Sequence, residues 1–267
     1  VMLMFTSVFI ACAFLGAIVG FFAGLLGIGG GLIIVPVLVY LLPLLGISAE
    51  LSFPMALATS LASIIFTSTS AAFAHHKNGN IPWQLAKSLV ITVAIGAVLG
   101  AVLADLLSLN ALTNIFGSAV LILALYMLLS IKVERSVPLP SKWWLQSIGL
   151  FTGVLASLMG IAGGAILVPI LMYYSLSMRQ AIGVATACGI IVALFGTLGY
   201  VFVGLGQSDL PPWSVGYIYL PALLGIVLTS SLFAPLGVKA GAKLSLPYLK
   251  KGFAVFLMLV AIKMMWY

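Results

Sequence analysis

The chain has 267 residues, 64% of them hydrophobic and only 6% charged, with a formal net charge of +7. A soluble domain carries about 25% charged residues, so this composition excludes a globule covered by water. It also excludes an outer-membrane barrel, because the apolar runs are continuous rather than alternating, and leaves a helical integral membrane protein whose spans satisfy their own backbone hydrogen bonds in lipid.

Ten apolar elements follow along the chain. The first five run roughly 3–26, 31–45, 52–75, 83–105 and 111–131. A polar linker then carries Lys132, Glu134, Arg135, Pro138, Pro140 and Lys142. The second five run roughly 145–159, 164–178, 180–203, 213–235 and 248–266. This divides the chain into a first membrane repeat (1–131), a cytoplasmic linker (132–144) and a second membrane repeat (145–267). The first apolar element has no small-residue cleavage pattern and belongs to the repeat, so it is not read as a signal peptide.

The two halves share a segment. Gly27-Ile28-Gly29-Gly30-Gly31-Leu32-Ile33-Ile34-Val35-Pro36-Val37-Leu38 returns as Gly160-Ile161-Ala162-Gly163-Gly164-Ala165-Ile166-Leu167-Val168-Pro169-Ile170-Leu171, with 8 of 12 positions identical at a constant offset of 133. Ala58-Thr59-Ser60 matches Ala185-Thr186-Ala187, and Pro82-Trp83 matches Pro212-Trp213. The second element of each half is too short to cross ~30 Å of hydrocarbon as a straight helix. The spacing therefore predicts a broken or re-entrant pair at each glycine cluster, the alternative being a tight turn between two tilted spans. A Gly/Pro break at corresponding places in two halves points to the binding site of a transporter.

Charge sets the orientation. His75, His76, Lys77 and Lys87 follow or flank the third element of the first half, whereas its counterpart in the second half holds Asp209. Asp105 after the fourth element faces Lys239, Lys243, Lys250 and Lys251 in the other half, and Glu50 is matched by Arg179. Basic loops stay in the cytoplasm, so the halves are expected to be inverted across the membrane, with both termini on the non-cytoplasmic side. The net positive charge is thus a topology signal and implies no nucleic-acid partner.

The candidate substrate-binding residues are Gly29, Gly30, Gly31, Pro36, Thr59 and Ser60 in the first half and Gly163, Gly164, Pro169 and Thr186 in the second. Glycine lets backbone N–H groups approach a ligand, and a helix start offers unpaired N–H groups at a positive dipole end, which suits an anion. The competing reading is close helix packing, which is assigned to Gly16, Gly20, Gly24 and Gly153. Pro36 and Pro169 either fix the helix start or simply kink it. The hydroxyls of Thr59, Ser60 and Thr186 either donate to an anion or bond to backbone. Thr67, Ser68, Thr69 and Ser70 form a polar stripe that fits an exit path.

Other residues carry less. His75 and His76 titrate near neutrality but sit at a span end. Arg179 either steers anions or anchors a cytoplasmic end. The five tryptophans fall at span ends as an aromatic belt. No Asp or Glu lies in the middle of a span, which excludes a relay of buried acids. Cys12 and Cys188 lie in apolar segments with no disulfide or metal spacing. No nucleotide motif appears, and no catalytic cluster, metal site or cofactor site is expected.

The doubled glycine segment ending in Val-Pro-x-Leu, Ala58-Thr59-Ser60 in the third element, and the matched length of the halves resemble the TauE/SafE-type sulfite exporter family of small bacterial anion permeases. The resemblance covers essentially the whole chain. It implies a bacterial inner-membrane permease for sulfite, sulfoacetate or related sulfur-containing or organic anions. Ala162 stands where the first half has Gly29, and Ala187-Cys188 where it has Ser60-Leu61, so the half-sites are not chemically equivalent. The expected protein is an all-α, inverted-repeat secondary transporter whose partners are a small anion and the lipid bilayer. A passive anion channel on the same scaffold and the oligomeric state stay open.

Overall fold

The computed structural model describes residues 2–26, 30–129, 137–241 and 246–266. Among them the chain forms ten helices and one short hairpin. The first half gives α1 (Met2–Leu26), α2 (Gly31–Leu44), α3 (Ala49–Lys77), α4 (Trp83–Leu106) and α5 (Leu109–Leu129). The second gives α6 (Lys142–Leu158), α7 (Gly164–Tyr173), α8 (Met178–Gly204), β1 (Ser214–Val215), β2 (Ile218–Tyr219), α9 (Leu220–Gly241) and α10 (Leu246–Met265).

All ten expected elements are present, with two corrections in the second half. The helix α7 stops at Tyr173, before its expected end at 178, because Ser175 turns to φ +65° and Ser177 opens α8. Ser177 and Gln180 form a reciprocal capping box there, which satisfies orphan N–H groups at the helix start. The fourth element was expected to be helical from 213, but residues 214–219 form an antiparallel hairpin and α9 begins at Leu220. Pro211 and Pro212 have no N–H to give a helix. Gly216 supplies the positive φ (+54°) of a two-residue turn between β-favouring Val215 and Ile218. The architecture is that of an all-α membrane protein, with one short hairpin inserted ahead of α9.

Among the described residues α1, α3, α4, α5 and α8 are long and apolar enough to cross a membrane. The chain is a multi-pass membrane protein. Its outer surface carries large exposed apolar side chains such as Phe14, Ile91, Ile122 and Phe202, which water would penalise and lipid does not. By contrast, α2 has 14 residues and α7 has 10, or about 21 Å and about 15 Å of helix. Both fall short of ~30 Å of hydrocarbon.

The packing partners are exchanged between halves: α1 lies along α9, and α6 lies along α4. Glycines make both contacts close. A side chain at Gly16 or Gly20 would collide with the backbone of Ile226 or Ser230, and one at Gly153 with Val93. These three are packing glycines, as their sequence suggested. The helices α3 and α8 pair in the middle, and α5 pairs with α10. The start of α8 meets the loop after α3, where Gly183 lies against the Asn80 carbonyl. The end of α8 shares a cavity with the start of α3, since Gln207 and Glu50 line it together. The two repeat-equivalent helices thus run antiparallel.

Candidate functional site

The two glycine segments meet. Gly31, the first residue of α2, lies flush against the Gly160 carbonyl, with the Ile161 Cα about where a β-carbon would touch. Ser60 on α3 donates its hydroxyl to the same Gly160 carbonyl at 2.7 Å. Gly189 on α8 fits over the Ala162 carbonyl. The 160–163 loop is therefore held by α2, α3 and α8 together. Gly160 and Gly163 both have positive φ, +61° and +70°, which side-chain-bearing residues adopt only with strain.

The two helix starts differ. On the α2 side, Gly30 is the N-cap in ordinary right-handed geometry and packs against Val19. Gly31 to Pro36 are buried. On the α7 side, the Gly163 carbonyl accepts from the N–H groups of Ile166 (3.1 Å) and Leu167 (2.9 Å), and no side chain caps the helix. The N–H groups of Gly164 and Ala165 have no partner among the described residues. A β-carbon on Gly164 would find nothing within 4 Å. Gly164, Ala165 and Pro169 are half-buried. The α7 start is an open donor site, whereas the α2 start is filled by protein. Gly29 lies outside the described residues.

The hydroxyls divide similarly. The Thr186 hydroxyl goes to the Ile182 carbonyl of its own helix at 2.7 Å. Thr59 instead accepts from the Tyr219 N–H of the hairpin at 3.1 Å. Thr59 is fully buried, and its own O–H has no acceptor among the described residues. Of the three expected hydroxyls, Ser60 and Thr186 are thus committed to backbone and Thr59 keeps its proton. In the polar stripe, Thr67 and Thr69 donate within their own helix. His76 accepts from Trp83 at 3.2 Å on the exposed surface. Cys12 and Cys188 are free and buried.

A family profile described as Sulfite exporter TauE/SafE matches residues 12–264. The chain belongs to the TauE/SafE family. A protein of Haemophilus influenzae called a probable membrane transporter protein is 42% identical over 98% of this chain and 99% of its own length. A probable membrane transporter protein of Methanocaldococcus jannaschii is 26% identical over 88% of this chain and 87% of its own. YunE of Bacillus subtilis, also called a probable membrane transporter protein, is 27% identical over 73% of this chain and 79% of its own. No solved structure matches the chain.

This TauE/SafE protein also has a cavity of about 1050 Å³ whose lining includes Glu50, Asp105 and Asp209, three of the four acidic residues in the chain. Tyr217 of the hairpin lines it and donates to Asp105 Oδ1 at 2.6 Å. Burial, and after it the bond to Asp105, push the Tyr217 phenol well above its ordinary pKa, so it stays protonated as the donor. The hairpin thus joins the cavity, through Tyr217, to the buried Thr59, through Tyr219. Sequence reasoning missed this because Thr59 and Tyr219 are 160 residues apart, and because the apolar residues of 214–219 run on into the span and mask the Pro211-Pro212 and Gly216 turn signals.

Proposed function

We propose that the protein is a secondary transporter for a small sulfur-containing or carboxylated anion, such as sulfite or a sulfonate, in a bacterial inner membrane. Its two halves are inverted repeats, residues 1–131 and 145–267. The short helices α2 and α7 are re-entrant, and their glycine-rich starts meet inside the membrane. The observation that carries this reading is the α7 start. The N–H groups of Gly164 and Ala165 have no partner among the described residues, and a β-carbon on Gly164 would meet open space. A helix start of this kind binds anions through N–H groups and a positive dipole end. The membership in the TauE/SafE family supports the same substrate class.

The inversion is supported by the antiparallel α3–α8 pair and by charge. Glu50 in the first turn of α3, Asp105 in the last turn of α4 and Asp209 in the loop after α8 lie at ends assigned to the non-cytoplasmic side and line one cavity. The α8 start, with Arg179, sits beside the loop that follows Lys77. Lys77 and Arg179 therefore sit at one end and the three acidic residues at the other, in keeping with basic cytoplasmic loops. Both termini are then non-cytoplasmic.

The test is transport by purified protein in liposomes. Sulfite, sulfoacetate, acetate, sulfate and chloride are compared as substrates, with counterflow measured for any that move. Saturable uptake with counterflow supports a carrier. Flux without counterflow turns the assignment to a passive channel, and absence of flux for every anion overturns the substrate class.

A further inference from the structure

The two glycine segments are flanked by different side chains at equivalent positions. In the first half Val19 packs against Gly30, the N-cap of α2. In the second half Thr152 packs against Gly163, the N-cap of α7, its Cγ2 being 3.3 Å from where a β-carbon on Gly163 would stand. Val19 and Thr152 are 133 residues apart, the offset of the repeat. Valine and threonine have the same shape, so at this position the second half differs from the first by one hydroxyl.

That hydroxyl is unused. Thr152 is 0% exposed, and its Oγ1 has no hydrogen-bond partner among the described residues. A threonine inside a helix ordinarily gives its proton to a carbonyl three or four residues back. Thr92, Thr113, Thr186 and Thr229 do so in this protein. A buried hydroxyl without a partner loses its hydration for no return. The methyl, not the hydroxyl, lies against Gly163; a rotation of ~120° about χ1 brings the O–H to that place and moves the methyl to the third staggered position.

We propose that the anion is held by the second half alone, at the start of α7, and that Thr152 is one of its ligands beside the N–H groups of Gly164 and Ala165. This rests on the anion-transporter reading above. Three observations converge on it: N–H groups without partners, open space at Gly164, and a fully buried hydroxyl next to the N-cap without a partner. The first half lacks the second and third features among its described residues, although the N–H groups of Gly31 and Leu32 at its helix start have no partner there either. Its helix start is filled, Gly31 meets the Gly160 carbonyl, and valine replaces threonine. The ligand class is a small oxyanion head, sulfite, sulfonate or carboxylate, whose oxygens accept from two amides and one hydroxyl.

The experiment compares detergent-purified wild type, Thr152→Val and Thr152→Ser. Thermal unfolding without ligand is measured first, then titration with sulfite, sulfoacetate and acetate. Thr152→Val copies the Val19 of the other half, so its ligand-free melting temperature is expected to equal or exceed that of wild type. Its affinity for the oxyanion that wild type binds is expected to fall about tenfold or more, as for a lost hydrogen bond to a charged group. Thr152→Ser keeps the hydroxyl and is expected to bind within a few-fold of wild type. Wild-type binding with unchanged affinity in Thr152→Val overturns the role of Thr152 while leaving the anion reading standing. A lower ligand-free melting temperature in Thr152→Val without a selective loss of affinity makes the residue structural and also overturns it. Absence of binding in wild type overturns the anion reading and this inference with it.

Discussion

Ser60 donates its hydroxyl to the carbonyl of Gly160 at 2.7 Å, and both residues are buried. The bond joins the third helix of the first half to the glycine segment of the second. Its repeat counterpart does not exist, because Ala187 occupies the matching position. The glycine segments therefore lean on each other in one direction only. The 160–163 loop is braced by α3, and its α7 end is left open.

Replacing Ser60 by alanine is expected to destabilise the folded protein by about 1–3 kcal/mol, the cost of leaving a buried carbonyl without that donor. Thr186→Val is expected to cost less than about 1 kcal/mol, since the Thr186 bond lies within its own helix and the Ile182 carbonyl keeps its backbone partner. Thermal unfolding of the two variants in the same detergent checks the difference. Equal losses would show that the bond across the halves has no special weight.

The glycine pair Gly31 and Gly164 separates packing from binding. A β-carbon at Gly31 would overlap the Gly160 carbonyl, which is backbone and cannot turn aside. At Gly164 the added methyl meets open space. Gly31→Ala is expected to lower the melting temperature strongly or prevent folding. Gly164→Ala is expected to fold with near-normal stability and to weaken anion binding by filling the space in front of the α7 amides. Melting curves with and without sulfite read both effects. A Gly164→Ala protein that binds like wild type would move the anion away from α7.

Much of this was legible in the sequence, for stated reasons. Span number and position follow from continuous hydrophobicity, and the packing role of Gly16, Gly20 and Gly153 follows from small-residue spacing on spans. The Gly30/Gly163 correspondence follows from the constant offset. The site was less legible. Gly30 and Gly163 read alike, yet one is closed by Val19 and the other is flanked by Thr152, a difference set by how much of each short helix its neighbours cover. Ser60 and Thr59 read as one polar pair. Ser60 bonds to Gly160 and Thr59 to Tyr219, and both partners are distant in sequence. The hairpin was hidden because Val215, Tyr217, Ile218 and Tyr219 are as apolar as the helix that follows.

The helix contact α4–α6 depends on Gly96 and Gly153, which lie against the Leu150 carbonyl and the Val93 carbonyl respectively. Gly153→Leu is expected to separate these helices, and Gly20→Leu to separate α1 from α9 in the same way, since Gly20 lies against the Ser230 backbone. Each substitution is expected to cost several kcal/mol, above the ~1–3 kcal/mol usual for overpacking, because the obstacle is backbone rather than a mobile side chain. Unfolding midpoints in mild denaturant measure the loss. Retention of full stability in either variant would refute the exchanged pairing of α1 with α9 and α6 with α4.

The hairpin offers the last test. Tyr217 holds Asp105 at 2.6 Å on the cavity wall, and two residues later Tyr219 gives its N–H to Thr59. The bond to Asp105 involves a carboxylate, so Tyr217→Phe is expected to cost about 1.5–3 kcal/mol. The sign of the pH dependence follows from the raised phenol pKa. The folded state keeps the proton more tightly than the unfolded chain does. That stabilisation is fully present below the ordinary tyrosine pKa of about 10 and is lost as pH rises beyond it toward the folded value. Wild type is therefore expected to lose stability above about pH 10 more steeply than Tyr217→Phe, with the two curves converging at high pH. Exchange of the Tyr219 amide with solvent deuterium should accelerate in Tyr217→Phe, because loosening the hairpin frees the N–H held by Thr59. Parallel pH curves together with unchanged exchange at Tyr219 would mean that the cavity wall and the buried Thr59 are not mechanically joined.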